Sequence, residues 1–229
     1  MKIIFIDIDG TITNSKGIIP YLSLKYINLL KKEKFKIVLT SANSYYITKT
    51  LQKYLGISDS IIAENGGVIE VDNKILILAK KEYALKAANI LKKKFPILKE
   101  NWTSKIRLSD YVFSRPNKKL VQKIKNYVAN NNKLNVKIYD TKYSLQVIEK
   151  NVNKGVAAKI LLKNLNLPFE TIYAIGDSEV DIPLFAMSDV SYALKNSCEE
   201  AKKSATFVTS KSYYKGFVEA VKKIINKLI

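Results

Sequence analysis

The feature that most limits what this chain can become is its start. After Lys2 the residues Ile3, Ile4, Phe5 and Ile6 run without a polar break, then stop at Asp7-Ile8-Asp9-Gly10-Thr11. An apolar run without alternation is the pattern of a strand buried on both faces, which belongs in a parallel sheet covered by helices. Open sheets of that kind place their ligands beyond the carboxyl ends of the strands. Asp7 and Asp9 stand at such an end.

The following segments keep the rhythm. Leu22, Leu24, Ile27, Leu29 and Leu30 fit a helix, residues 36–39 a second apolar strand, residues 45–55 a helix stopped by Gly56, and residues 60–63 a short strand. Beyond Asn65-Gly66-Gly67 the pattern changes to short strands around Asp72-Asn73-Lys74, as in a hairpin. Residues 80–152 read as α+β: a helix over 82–95, hairpin-like strands within 105–113, a helix over 118–131, and strands over 136–139 and 144–148. A helix over 154–165, strands over 171–175, 190–193 and 206–208, and a closing helix over 217–228 restore the alternation. The expected fold class is α/β, a Rossmann-like parallel-sheet core from residues 1–79 and 153–229 with a smaller α+β module, 80–152, inserted into it.

Composition excludes several kinds of chemistry. The chain has no histidine, so neither a Ser-His-Asp or Cys-His mechanism nor a His-ligated zinc site can be built. Acid–base work falls to carboxylates, Lys or Tyr. Cys198 is the single cysteine, which rules out an intrachain disulfide and a thiolate metal cluster and fits a reducing cytoplasm. Asp7 and Asp9 interrupt the opening apolar run before it can serve as a signal-peptide core. No stretch approaches the ~20 apolar residues of a membrane span, so no membrane partner is expected.

The net charge of +19 brings nucleic acid forward as a partner. The basic residues are spread along the whole chain, however, and all are lysine except Arg107 and Arg115. That distribution reads as a composition bias, with weak, salt-sensitive nucleic-acid binding and no specific recognition. A positive field still favours an anionic substrate.

Asp7 and Asp9 repel each other unless a cation or a shared proton intervenes. Magnesium suits the pair, because it takes one or two carboxylates plus phosphate oxygens. Asp7 can bind the metal through one oxygen and attack phosphorus with the other, while Asp9 protonates the leaving oxygen and later deprotonates water. An ordinary turn also explains Asp-Gly after a strand. Asp177 and Asp181, in Gly176-Asp177-Ser178-Glu179-Val180-Asp181, repeat the theme at a later strand end, where Asp181 also suits the N-cap of a helix begun near Pro183. Ser41, in Thr40-Ser41-Ala42-Asn43, follows the second strand and offers either a phosphate cradle or a plain cap. Lys154 opens a helix, where the dipole disfavours a cation, so an anion nearby or simple solvation accounts for it.

Taken in order, these four segments resemble the haloacid dehalogenase-like phosphatase superfamily, with the inserted module as a cap between the second and third motifs. With Glu64-Asn65-Gly66-Gly67 before the module, the chain further resembles the branch with a cap in that position, and within it is most similar to the archaeal phosphoglycolate phosphatases, on Asn153-Lys154-Gly155 and Gly176-Asp177-Ser178. The resemblance implies Asp7 as nucleophile and metal ligand, and Asp9 as acid–base and, through its carbonyl, metal ligand. It implies Asp177 and Asp181 as further ligands of Mg2+, and Ser41 and Lys154 as phosphate-binding residues, with Asn43 beside them. Relatives usually carry Gly where Ala42 stands. The implied activity is a magnesium-dependent phosphatase for a small phosphorylated metabolite, most simply 2-phosphoglycolate. A sugar phosphatase, a phosphomutase, or a non-catalytic phosphate or nucleic-acid binding module are the alternatives. Arg107 and Arg115, the only guanidinium groups and both in the module, are candidates for gripping a substrate carboxylate.

Overall fold

The computed structural model describes residues 1–141 and 143–226. The chain begins with β1 (Lys2–Asp7), α1 (Tyr21–Lys32), β2 (Phe35–Thr40), α2 (Tyr45–Leu55), β3 (Ser60–Ala63), β4 (Val68–Val71) and β5 (Lys74–Ile77). It continues with α3 (Lys81–Lys94), β6 (Tyr111–Ser114), α4 (Lys118–Ala129), β7 (Val136–Asp140) and β8 (Ser144–Glu149). It closes with α5 (Lys154–Leu165), β9 (Thr171–Gly176), α6 (Ile182–Phe185), β10 (Val190–Ala193), α7 (Glu199–Ser204), β11 (Phe207–Val208) and α8 (Tyr213–Asn226). The closing helix therefore starts earlier than expected, and the expected end at residues 227 and 228 lies outside the described residues.

Eight strands form one sheet in the order β11-β10-β9-β1-β2-β3-β4-β5. The pairs from β11 through β3 are parallel, and β4 and β5 add an antiparallel edge. The continuous apolar run of β1 has a simple cause. Side chains alternate across a strand, so Ile4 and Ile6 enter the core under α1 and α8 while Ile3 and Phe5 enter the core under α5 and α6. Both faces are covered, and no position on β1 can be polar until the strand ends. The α/β fold class is as the sequence indicated. Local signals also set the ends: Gly56 closes α2 in the left-handed region at φ +56, and Asp72 and Asn73, at φ +48 and +61, make the tight turn between β4 and β5.

The second sheet, β6-β8-β7, is antiparallel and small. Ala84, Ala87, Ala88 and Leu91 from α3, and Val121, Ile124 and Val128 from α4, cover it in an apolar cluster of its own. One expectation fails here. Residues 105–113 are not a hairpin: a 3-10 turn over Trp102–Ile106 leads into a loop, and only Tyr111–Ser114 is a strand. Ser104 folds the turn back, accepting from the Val112 N–H at 2.7 Å and donating to its carbonyl at 3.0 Å, and the N–H groups of Leu108 and Ser109 go to Glu64 instead of a ladder. Among the described residues no helix is long and apolar enough to cross a membrane.

Candidate active site

Parallel pairing brings three strand ends to one edge of the large sheet. Asp7 ends β1, Ser41 follows β2, and Asp177 follows β9, with Asp7 level with Thr40 and Ile6 level with Ile175. Carboxylate oxygens of Asp7, Asp177 and Asp181, all three buried, lie within 4.8 Å of one another. Lys154, fully buried at the first turn of α5, donates to Asp7 Oδ1 at 2.6 Å and to Asp181 Oδ1 at 2.7 Å. Of the two readings of Lys154 from sequence, the structure has the anions nearby and not the solvated surface. Asn153 caps the same helix by accepting from Val156 N–H at 2.9 Å, leaving the lysine side chain free to turn inward.

Each carboxylate is held. Thr11 Oγ1 donates to Asp7 Oδ2 at 3.1 Å, and Asn196 Nδ2 donates to Asp177 Oδ2 at 3.0 Å. Asp181 stands at the N-cap position of α6, as the sequence suggested, but its side chain does not cap that helix. It ends a 3-10 turn over Glu179–Asp181, and its Oδ2 turns back to accept from the N–H groups of Asp177 at 3.1 Å and Ser178 at 3.0 Å. Asp9 accepts from Asn43 Nδ2 at 2.7 Å. Gly10, at φ +87, is required twice over: a side chain would strain the backbone, and a Cβ would fall on the Asp177 carboxylate. Ser41 is not a helix cap either, since Ser44 fills that role on α2; the Ser41 hydroxyl accepts from Asn43 N–H at 2.9 Å.

Three buried carboxylates crowd together here, and Lys154 pairs with two of them, Asp7 and Asp181. Burial pushes the Asp7 carboxyl well above the usual carboxylate range; Lys154 opposes this, while Asp181 and Asp177 add to it. Burial by itself pulls the Lys154 ammonium down, but Asp181 and Asp7 outweigh it and hold it above its ordinary value. An all-oxygen donor set of clustered carboxylates is what a hard divalent cation such as magnesium takes, so these residues fit the ion the sequence implied.

A cavity of about 610 Å³ opens over the cluster, lined by Asp7, Asp9 and Asn43 from the large sheet and by Trp102, Arg107 and Gln146 from the smaller unit. The two arginines part company here. Arg107 lines the cavity, but its Nη1 is engaged by Asp110 at 2.8 Å in a pair with both partners buried. Arg115 is not in the lining, and its fork closes on Asp140 through Nε at 2.6 Å and Nη2 at 3.0 Å.

Residues 4–95 and 79–221 match the family model described as haloacid dehalogenase-like hydrolase. The chain belongs to that family. It is an enzyme, a hydrolase, as the motifs led us to expect. It is 32% identical over 222 residues to a protein of Methanosarcina acetivorans named phosphoglycolate phosphatase, covering 96% of this chain and 95% of that one. A phosphoglycolate phosphatase of Methanothermobacter thermautotrophicus is 27% identical over 227 residues, with 98% and 99% covered. In fold, the crystal structure of Thermoplasma acidophilum 0175 is similar at a TM-score of 0.87, 22% identity and 98% coverage of each chain. A haloacid dehalogenase-like hydrolase from B. subtilis is similar at a TM-score of 0.80 and 17% identity, covering 97% of this chain and 99% of that one.

Sequence reasoning missed Asn196, which donates both to Asp177 and to the Gly10 carbonyl at 3.0 Å and accepts from Tyr213 N–H at 2.7 Å. It also missed Gln146 and Trp102. No local signal marks any of them. Glu64 was quoted only as part of a motif, yet it is a fully buried carboxylate whose positive φ of +52 already departs from ordinary backbone.

Proposed function

We propose that this hydrolase is a magnesium-dependent phosphatase that cleaves a small phosphomonoester, 2-phosphoglycolate first among the candidates, through an aspartyl-phosphate on Asp7. The observation that carries the reading is the buried Asp7 carboxylate at the end of β1, held by Lys154 at 2.6 Å beside the carboxylates of Asp177 and Asp181. The names of the relatives support the substrate class.

In the first step an Asp7 oxygen bonds to phosphorus as the ester P–O bond breaks, and Asp9 gives its proton to the departing oxygen. In the second, Asp9 takes a proton from water, the resulting hydroxide oxygen bonds to phosphorus, and the acyl–phosphate bond breaks to restore the Asp7 carboxylate and release phosphate. Asn43 orients Asp9 for both transfers through its 2.7 Å hydrogen bond. Lys154 fixes the Asp7 carboxylate and, with Ser41, meets the phosphate oxygens. A magnesium ion held by Asp7, Asp177, Asp181 and the Asp9 carbonyl would supply positive charge against the phosphate. On this reading residues 80–152 act as a cap over a core of residues 1–79 and 153–229, shielding the reaction from bulk water, and the enzyme works on a soluble metabolite in the cytoplasm without specific nucleic-acid recognition.

Phosphate release from phosphoglycolate, measured with magnesium and with excess chelator, tests this directly. The Asp7→Asn variant should fold normally and lose turnover by several orders of magnitude, since an amide is a poor nucleophile. Full activity in chelator, or near-normal turnover in that variant, removes the mechanism.

A further inference from the structure

Three consecutive carbonyls, of Ser41, Ala42 and Asn43, lie in the loop that the proposed reaction uses for phosphate and for Asp9. Each has its own donor. Ser41 accepts from the Asn65 N–H at 3.1 Å and Asn43 from the Glu64 N–H at 2.9 Å, both in the turn after β3. The middle carbonyl is served from elsewhere. Ala42 accepts from two side chains of the smaller unit, Arg107 Nη1 at 3.0 Å and Gln146 Nε2 at 3.1 Å.

Neither donor is loose. Arg107 is anchored on the buried Asp110 carboxylate, and its backbone carbonyl accepts from Lys81 Nζ. Gln146 sits on β8, 2% exposed, and its side-chain oxygen accepts from Asn65 Nδ2. The loop carrying Arg107 is itself fastened to the large sheet by Glu64, whose carboxylate accepts from Leu108 N–H at 3.1 Å, Ser109 N–H at 2.8 Å, Ser109 Oγ at 2.7 Å and Tyr45 N–H at 3.1 Å.

A peptide unit is planar, so holding the Ala42 oxygen also directs the Asn43 N–H on the opposite edge of the same plane. That N–H donates to Ser41 Oγ at 2.9 Å, and the Asn43 side chain donates to Asp9 Oδ2 at 2.7 Å. We propose that Arg107 and Gln146 are positioning residues: they grip the Ala42 carbonyl from the smaller unit and so aim Ser41 at the phosphate and Asn43 at Asp9. Docking of that unit and shaping of the phosphate loop are then one event. The inference rests on the phosphatase reading above, and it gives Arg107 a backbone carbonyl to hold in place of a substrate carboxylate.

The full-length chain tests it through Gln146→Met and Gln146→Glu. Both remove the donor to Ala42, while the Glu variant keeps an acceptor for Asn65. An Arg107→Met, Asp110→Asn double variant removes the second donor without stranding a buried charge. Calorimetric binding of inorganic phosphate in the presence of magnesium, magnesium affinity, and turnover of both phosphoglycolate and para-nitrophenyl phosphate are measured for each. We expect phosphate affinity and kcat to fall about tenfold, the scale of one buried hydrogen bond left unmade. The loss should be equal for the two substrates, with KM following phosphate affinity and magnesium affinity unchanged. Loss confined to phosphoglycolate, with phosphate binding intact, would make these residues direct substrate contacts and overturn the proposal. Normal phosphate affinity in the Gln146 variants would overturn it as well. An inactive wild type would instead sink the phosphatase reading, and the phosphate calorimetry would still decide the positioning role.

Discussion

Two regions of this molecule bury charge, and they balance it differently. At the ends of β1 and β9, the carboxylates of Asp7, Asp177 and Asp181 crowd within 4.8 Å of one another, and the Lys154 ammonium pairs with Asp7 and Asp181. At the junction of the two sheets, Arg107 is matched by Asp110, and the Glu64 carboxylate is satisfied by backbone N–H groups and hydroxyl. Carboxylates this close disfavour one another's ionisation, so the first region makes sense with a divalent cation and an anionic ligand to complete it. The second balances Arg107 against Asp110 one to one, although the buried Arg107 Nε has no hydrogen-bond partner among the described residues. Crowded like charge marks chemistry, and one-to-one pairing marks architecture.

The sharpest break of this comparison is Lys154→Met. It strips the Lys154 ammonium from Asp7 and Asp181, and loss of one partner of a buried pair costs about 3–5 kcal/mol. Turnover should fall at least a hundredfold by phosphate release, and magnesium should raise the melting temperature of the variant more than that of the wild type. Near-normal turnover would mean that the cluster does not depend on its lysine.

Glu64→Gln probes the balanced region. An amide keeps one acceptor oxygen but puts an NH2 group where the other carboxylate oxygen now accepts from N–H groups, so on one side donors face donors. The expected loss is about 2–3 kcal/mol, the range of charged hydrogen bonds, seen by chemical denaturation together with faster amide exchange over residues 107–110. Unchanged exchange there would show that the carboxylate does not fasten the loop.

The mildest effect is a slope. Burial pushes the Asp110 carboxyl up to about 7, with Arg107 opposing and Glu64 reinforcing the rise. A carboxyl whose folded pKa exceeds its unfolded value, 3.8 here, takes up a proton on folding. Its contribution to stability is therefore full below pH ~4 and is lost as pH rises through about 7. Asp110→Asn should flatten the stability profile across that window while keeping an acceptor for Arg107. An unaltered profile in urea titrations at successive pH values would place the balance of that pair elsewhere.

What was legible in the chain was whatever local patterns encode. The unbroken apolar run of β1, the spacing of α5 and the turn at Asp72-Asn73 each reflect a periodicity or backbone preference carried by adjacent residues. The acidic pairs at strand ends were visible for the same reason, because a parallel sheet brings its carboxyl ends to one edge. Tertiary structure alone decided the rest. Residues 105–113 have strand-like composition, yet the acceptor for the Leu108 and Ser109 N–H groups is Glu64, separated from them by 44 and 45 positions. Gln146 meets Ala42 across 104 positions and Asn196 meets Gly10 across 186. A hydrogen bond needs a donor and an acceptor within about 3 Å and in line, and nothing in a sequence states which distant pairs the packing of two sheets will bring to that distance.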